Sequence, residues 1–259
     1  MKLLLDIGLS RVKWARSQNG SLQQQGALEH HGSADHIFYL LESKELADAD
    51  SVCIAFVGEK STQERLEYLI WKHWQIAAEF IVADEEALNI FNGYSYPEEL
   101  EADRWLAMLA LHNERLPVCI IDCGARITVD VLNNLGQHIG GLSFAGLKQL
   151  HLVAAQARGQ KLTELLGDHG QGFSEDGFLA TNARDAVFAG SFYSVVATLD
   201  RVAQDLQQAF EEGLRFILTG GDAEQLQALL NFEADYRPGL VFEGMVAYFQ
   251  KKNQKKLAV

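Results

Sequence analysis

The apolar positions change period several times along the chain. LLLDIG, residues 3 to 8, is a continuous apolar run that ends in a carboxylate, and VKWARS, residues 12 to 17, resumes with alternating apolar and polar positions. The two read as strands joined by a tight turn, with Gly20 and Ser21 marking the next turn before a third short strand. SVCIAFVG, residues 51 to 58, has the length and continuous apolarity of a buried strand. In the following STQERLEYLIWKHW, Leu66, Leu69, Ile70 and Trp74 recur at helical spacing. EFIVAD, residues 79 to 84, then completes a strand, helix, strand unit, which predicts a parallel pair with a crossover. A Gly, Tyr and Pro loop, NGYSYPEEL, leads into a helix with Ala102, Trp105, Leu106 and Leu109 on one face.

LPVCIIDCGARITVDVLNNLGQHIGGLSF, residues 116 to 144, restarts the opening pattern as strand, Asp-x-Gly turn, strand, Asn-Asn-Leu-Gly turn, strand. Helices are expected from about 146 to 166 and 183 to 212, and RFILTGGDAEQLQALL gives a strand, a glycine pair, an aspartate and a helix. The repeat of the opening at roughly half the chain length predicts two similar α/β domains, 1–116 and 117–259. At 259 residues each can bury a core of its own.

Composition narrows the function classes. A formal net charge of -13 argues against a nucleic-acid or anionic-membrane surface, since both need clustered Lys and Arg. The basic cluster KKNQKK, residues 251 to 256, reads as a solvated tail. The three cysteines, Cys53, Cys119 and Cys123, show no metal-ligand spacing and read as reduced, buried thiols of a cytosolic protein. MKLLLDIG has too short an apolar core for a signal peptide, and no run approaches the roughly 18 apolar residues of a membrane span. The eight histidines form no HExxH or Cys/His zinc pattern.

The chemistry-bearing residues are the strand-end aspartates. A strand ending in Asp-x-Gly places a carboxylate at a sheet edge and a glycine where backbone N–H groups can approach an anion. Two such hairpins, carrying Asp6 and Asp122, would together hold a hydrated Mg²⁺ and two sets of phosphates. TGGD, residues 219 to 222, opens a helix at a strand end, a junction that lets a ligand lie against bare backbone but that also occurs as an ordinary turn. Asp103 and Arg104, at the first turn of the helix after Pro97, are candidates to orient an attacking hydroxyl and to bind an anionic substrate; an acidic first turn that merely stabilises its helix has the same pattern. From the residues alone the chain reads as a two-domain ATP-using phosphotransferase.

The motifs also carry a resemblance. DIGLSRVKWA, YSYPEELEADRW, DCGARITVD, GGLSFAG and ILTGGDAE match, in order and spacing, the patterns DxGNTxxKxA, YxxPxxLGxDRW, DxGTAxTxD and GGxIxPG, and the glycine-pair turn, of the type III pantothenate kinases. These are dimeric members of the actin and sugar-kinase ATPase superfamily, which phosphorylate pantothenate in the first step of coenzyme A synthesis. The resemblance implies two ribonuclease-H-like, actin-like ATPase domains, each opening with a DxG β-hairpin. It implies that Asp6, Gly8, Ser10 and Lys13 belong to the first ATP-phosphate loop and that Gly124, Ala125 and Arg126 stand at the second. Gly220 and Gly221 would lie under adenine and ribose. Tyr94, Glu101, Ala102, Arg104 and Ala183 would stand at the pantothenate pocket, with Asp103 as proton acceptor. Asp6 and Asp122 would serve the magnesium ion, Asp122 beside a monovalent cation, K⁺ or NH₄⁺. A cytoplasmic homodimer is implied.

Several positions depart from the family pattern. Leu9 replaces an asparagine, Glu101 a glycine, Ala125 a threonine, Arg126 a small alanine, Ala145 a proline and Ala183 a threonine. Losing one donor to a charged phosphate typically costs about 1.5 to 3 kcal/mol, so two or three such losses reduce activity by orders of magnitude unless Arg126 compensates with its charge. Two readings stay open: a kinase, slow or with altered acceptor specificity, and a weakened or inactive paralogue acting as a dimeric binding or regulatory protein.

Overall fold

The computed structural model describes residues 1–115, 117–157, 179–210 and 213–257. In chain order the first half holds β1 (Lys2–Ile7), β2 (Arg11–Gln18), β3 (Ser21–Glu29), α1 (Ala34–Glu42), β4 (Ser51–Phe56), α2 (Lys60–Trp74), β5 (Ala78–Phe80), the short pair β6 (Glu86–Ala87) and β7 (Ile90–Phe91), a 3₁₀ turn at Pro97–Glu99, and α3 (Ala102–Leu109). The second half holds β8 (Val118–Cys123), β9 (Arg126–Leu132), β10 (His138–Ala145), α4 (Leu147–Ala157), α5 (Ala183–Ala209), β11 (Arg215–Thr219), α6 (Ala223–Gln227), β12 (Asp235–Tyr236) and α7 (Leu240–Leu257).

Each half builds the same sheet. The strand orders are β3-β2-β1-β4-β5 and β10-β9-β8-β11-β12, so in both the strand that carries the aspartate lies at the centre. β1 runs antiparallel to β2 and parallel to β4, and β8 runs parallel to β11. A central strand is covered on both faces, which is why LLLDI is apolar at consecutive rather than alternate positions. Leu3, Leu5 and Ile7 pack with Ile37 and Leu41 of α1 and with Leu66, Ile70 and Trp74 of α2. Leu4 and Asp6 point to the other face, on the side where α3 and α7 pack. The β2–β3 hairpin closes through Asn19 and Gly20, at φ 53° and 81°, the left-handed conformation that a two-residue hairpin turn requires.

The chain separates into two compact units, each assembled from more than one stretch of sequence. The first is Met1–Leu116 with Asp130–Gly140 and Gly239–Val259; the second is Pro117–Val129 with Gly141–Pro238. The C-terminal segment returns because Leu240, Val241, Phe242, Met245 and Phe249 of α7 are buried, and α7 packs on α3. KKNQKK is therefore the end of a helix and not a tail; Lys252 is ion-paired with Glu79. EFIVAD contributes only Glu79 and Phe80 to a three-residue strand, Ala78–Phe80. α4 ends at Ala157, and the rest of the helix expected to 166 lies outside the described residues. No helix among the described residues is long and apolar enough to cross a membrane.

The tightest of these contacts generates a stability prediction. A β-carbon at Gly244 of α7 would collide with the backbone of Leu106 in α3, so the two helices meet at a bare backbone. Gly244→Ala should lower the unfolding free energy by about 1 to 3 kcal/mol, read from the midpoint of a urea titration. An unchanged midpoint would show that the helices can part without loss.

Candidate functional site

In the first unit, Asp6 is the fifth residue of β1, whose other residues after Lys2 are apolar, and only 5% of its surface is exposed. Its register partner on β2 is Lys13, whose Nζ lies 3.2 Å from Asp6 Oδ2. A buried carboxylate needs such a partner. Gly8 to Arg11 form the turn that follows, closed by the Gly8 N–H donating to Arg11 O at 3.0 Å. Ser10 lies within this turn, and the Leu9 side chain is exposed beside it.

The second cluster of the first unit centres on α3. Glu101 is its N-cap residue without a side-chain capping bond, and Ala102 is buried in the first turn. Asp103, also in the first turn, accepts a hydrogen bond from the Arg104 N–H at 2.8 Å. The macrodipole at a helix N-terminus favours its ionised form. Arg104 is 7% exposed and donates from Nε and Nη2 to the two carboxylate oxygens of Asp130, at 2.9 and 2.7 Å. Its Nη1 donates to the Tyr94 hydroxyl at 2.9 Å. Three of the guanidinium's five N–H groups are thus occupied, and its orientation is fixed. His138 Nε2 lies 2.9 Å from Asp130 Oδ1, and the Tyr94 ring stacks on the His138 ring at 5.7 Å. Asn92 holds the Tyr94 loop in shape: its Oδ1 accepts from the Tyr94 N–H at 3.0 Å and its Nδ2 donates to Pro97 O at 3.1 Å. Gly93 abuts the His138 carbonyl, where a side chain would not fit.

Burial alone would raise the Asp130 pKa, but hydrogen bonds from His138 and Arg104 outweigh it and hold the carboxyl below the usual carboxylate range. Burial opposes the charge of Arg104 as well, and Asp130 restores it, so the guanidinium stays ionised. Asp130 and His138 were not among the residues expected at a site. Asp130 had a signal in the sequence, since a carboxylate amid ITVDVL, inside a buried strand, must find a cation or several donors. His138 had none.

In the second unit, Asp122 ends β8 as Asp6 ends β1. A β-carbon at Gly220 would strike Asp122 Oδ1 and the backbone of Cys123, and the space beside Gly124 is bounded by the same carboxylate oxygen. Gly220 has φ 96°, so both close approach and conformation require glycine there. The Asp222 N–H donates to Cys123 O at 2.9 Å and the Gly146 N–H to Ala125 O at 3.1 Å. The structure therefore gathers Asp122, Gly124, Ala125, Gly146 and the Gly220–Asp222 turn at one end of this sheet. Arg126 begins β9 and is half-buried, Gly221 is exposed, and Ala145 ends β10. Ala183 is the exposed first residue of α5, whose N-cap Asn182 accepts from the Asp185 N–H. Cys123 stands inside the cluster as an inert thiol, because burial pushes its pKa up; the Cys53 thiol is likewise pushed up to about 12.

Among the described residues no group of three or more His, Cys, Asp or Glu forms a metal cage. Mg²⁺ needs no such cage, since it keeps several waters and is typically held by one or two carboxylates plus substrate phosphates.

The Asp130 pair has a measurable consequence. Its depressed pKa means that the pair stabilises the fold above the unfolded carboxylate value of about 3.9 and that this stability is lost as pH falls through the folded value. Asp130→Asn should therefore cost about 3 to 5 kcal/mol at neutral pH. The gap to the unaltered protein should narrow once the pH drops below about 4. Urea unfolding of both forms at neutral and acidic pH measures it, and a gap independent of pH would contradict the assignment.

The comparisons with known proteins agree with these motifs. The profile of the type III pantothenate kinase family matches residues 2–205. A type III pantothenate kinase of Nitrosococcus oceani is 36% identical over 257 residues, covering 95% of this chain and 92% of the relative. Another, of Halorhodospira halophila, is 32% identical, covering 95% and 96%. Among solved structures, a protein of Campylobacter jejuni described as a Baf family transcriptional activator superposes with a TM-score of 0.60 at 20% identity, covering 97% of this chain and 99% of that one. One of Listeria monocytogenes described as an N-acetylmannosamine kinase gives 0.50 at 13%, with coverage of 97% and 99%. At such identities the structures speak to the fold alone, which is the two-domain α/β fold of the actin and sugar-kinase ATPases. The sequence relatives speak to lineage: the chain belongs to the type III pantothenate kinase family.

Proposed function

We propose that the protein is an ATP-dependent kinase that phosphorylates pantothenate to 4'-phosphopantothenate. The observation that carries this reading is the family match, whose span takes in both Asp-x-Gly turns and the Asp103–Arg104 helix start. Asp103 is the proton acceptor. As the acceptor hydroxyl oxygen bonds to the γ-phosphorus, the bond from phosphorus to the β–γ bridging oxygen breaks, ADP leaves, and the hydroxyl proton passes to the Asp103 carboxylate. Arg104, held by Asp130 and Tyr94, keeps two N–H groups for the carboxylate of the substrate. Tyr94, Glu101, Ala102 and Ala183 are assigned to the same substrate.

Gly8, Ser10 and Lys13 are assigned to ATP phosphate, as are Gly124, Ala125 and Arg126, with Gly220 and Gly221 at the nucleoside. Asp6 and Asp122 would hold Mg²⁺, which supplies charge neutralisation on the phosphates. A monovalent cation, K⁺ or NH₄⁺, beside Asp122, a homodimeric assembly and a cytoplasmic location complete the proposal.

Asp103→Asn should lower turnover by about 10²- to 10⁴-fold while ATP affinity stays within about twofold, measured by steady-state kinetics and calorimetry. Unchanged turnover would remove Asp103 from the mechanism.

The loop departures favour keeping the second reading, a weakened paralogue that binds without phosphorylating. In the kinase reading Arg126 replaces the missing hydroxyl at Ala125 with a full charge. The double change Ala125→Thr with Arg126→Ala should then weaken ATP binding, because a cation beside phosphate in a partly water-excluded site contributes more than a neutral donor. Tighter binding in the calorimeter would mean that Arg126 obstructs the nucleotide. No binding by either form would favour the paralogue.

A further inference from the structure

His30 lies between β3 and α1 and belongs to none of the assignments above, yet it is buried, at 7% exposure. Three of its hydrogen-bonding groups are engaged, two of them on the first turn. Its backbone N–H donates to Ser10 O at 2.9 Å. The Gly32 N–H donates to the ring Nδ1 at 3.0 Å, so Nδ1 carries no proton. The ring proton therefore sits on Nε2, which donates to Gly8 O at 3.0 Å. Burial of the ring favours the same neutral form.

These bonds orient more than the histidine. The peptide unit is planar and trans, so its C=O and N–H point in opposite directions. Holding Gly8 O on the His30 ring turns the Leu9 N–H away from the ring. The Gly8 N–H is committed to Arg11 O, and Ser10 O to the His30 backbone, so the first and last of the turn's three peptides are tied. A turn tied in this way presents the Leu9 N–H in a set direction, so that less backbone entropy is lost when an anion arrives. Leu9 has no polar side-chain group to offer, so this position contributes through its backbone N–H alone.

We propose that His30 is a positioning residue for the nucleotide, clamping the Gly8–Arg11 turn through Gly8 O and Ser10 O so that the Leu9 N–H and the Ser10 hydroxyl meet a phosphate of a nucleoside triphosphate. The proposal rests on the assignment of this turn to ATP phosphate. His30→Ala removes the ring bond and keeps the backbone bond; His30→Gln offers an amide N–H of similar reach to Gly8 O.

The test is steady-state kinetics of the full chain with ATP and pantothenate varied separately, together with ATP titration by calorimetry. His30→Ala should raise KM for ATP and weaken ATP binding about five- to tenfold, the effect of one lost hydrogen bond, with KM for pantothenate within about twofold. His30→Gln should recover most of the loss. If the unaltered protein binds ATP and His30→Ala binds it equally well, or if both KM values move together, the clamp is overturned while the kinase reading stands. If the unaltered protein binds no ATP, the kinase reading falls and the clamp with it. Should His30→Ala fail to fold, the ¹⁵N resonances of the His30 ring in the unaltered protein decide. A shift that saturates with Mg-ATP supports the clamp, and resonances indifferent to the nucleotide overturn it.

Discussion

The buried pair of Arg104 and Asp130 constrains the first unit more than any other polar contact. A guanidinium and a carboxylate removed from water each carry a desolvation penalty of several kcal/mol, which only close, bidentate geometry and further hydrogen bonds offset. Both conditions are met: two short bonds join the pair, Tyr94 takes a third guanidinium N–H, and His138 meets the carboxylate. Residues far apart in the chain are thereby committed to one another, and Asp130–Gly140 groups with the N-terminal segment although it follows the start of the second sheet. The helix start that bears Asp103 inherits this rigidity, because Arg104 is its neighbour on the same first turn.

The strand-end aspartates follow a different logic. Asp6 is countered by Lys13 across a ladder, while Asp122 is bounded by glycine backbone at Gly220 and Gly124. The same sheet order thus places both carboxylates next to the turn that follows their strand, with Lys13 beside one and the Gly220 and Gly124 backbone close to the other.

The repeated architecture was legible in the sequence because LLLDIG and CIIDCG combine unbroken apolar runs with a carboxylate, and only central strands covered on both faces tolerate that combination. Both hairpins, the first crossover and the α3 start were expected from pattern and found. The membership of α7 in the first unit was not legible, because helical periodicity reports which face is apolar and not which surface receives it. KKNQKK misled for a related reason: charge density resembles a tail, while the helix beneath it is set by Leu240, Phe242 and Met245 upstream. Residue type brought Asp103 and Arg104 into the expected set, whereas the bonds from His30 to backbone carbonyls left no trace in the sequence, because a carbonyl has no letter of its own.

The departures at Leu9, Ala125 and Ala145 share that last property. All three remove or alter a side chain in a turn whose geometry is held by backbone bonds: Gly8 N–H to Arg11 O in the first turn, Gly146 N–H to Ala125 O and Asp222 N–H to Cys123 O in the second. Gly146 fits so closely against the Gly124 and Ala125 carbonyls that the turns are matched backbone to backbone, whatever side chain stands at 125. Lost hydroxyl and amide groups therefore subtract donors without dismantling the turns that would receive phosphate. Preorganised backbone N–H groups need no rearrangement when charge develops on a transferring phosphoryl group, whereas a flexible side-chain donor must first be ordered. At these turns the fit is thus carried by backbone and not by the side chains at positions 9, 125 and 145.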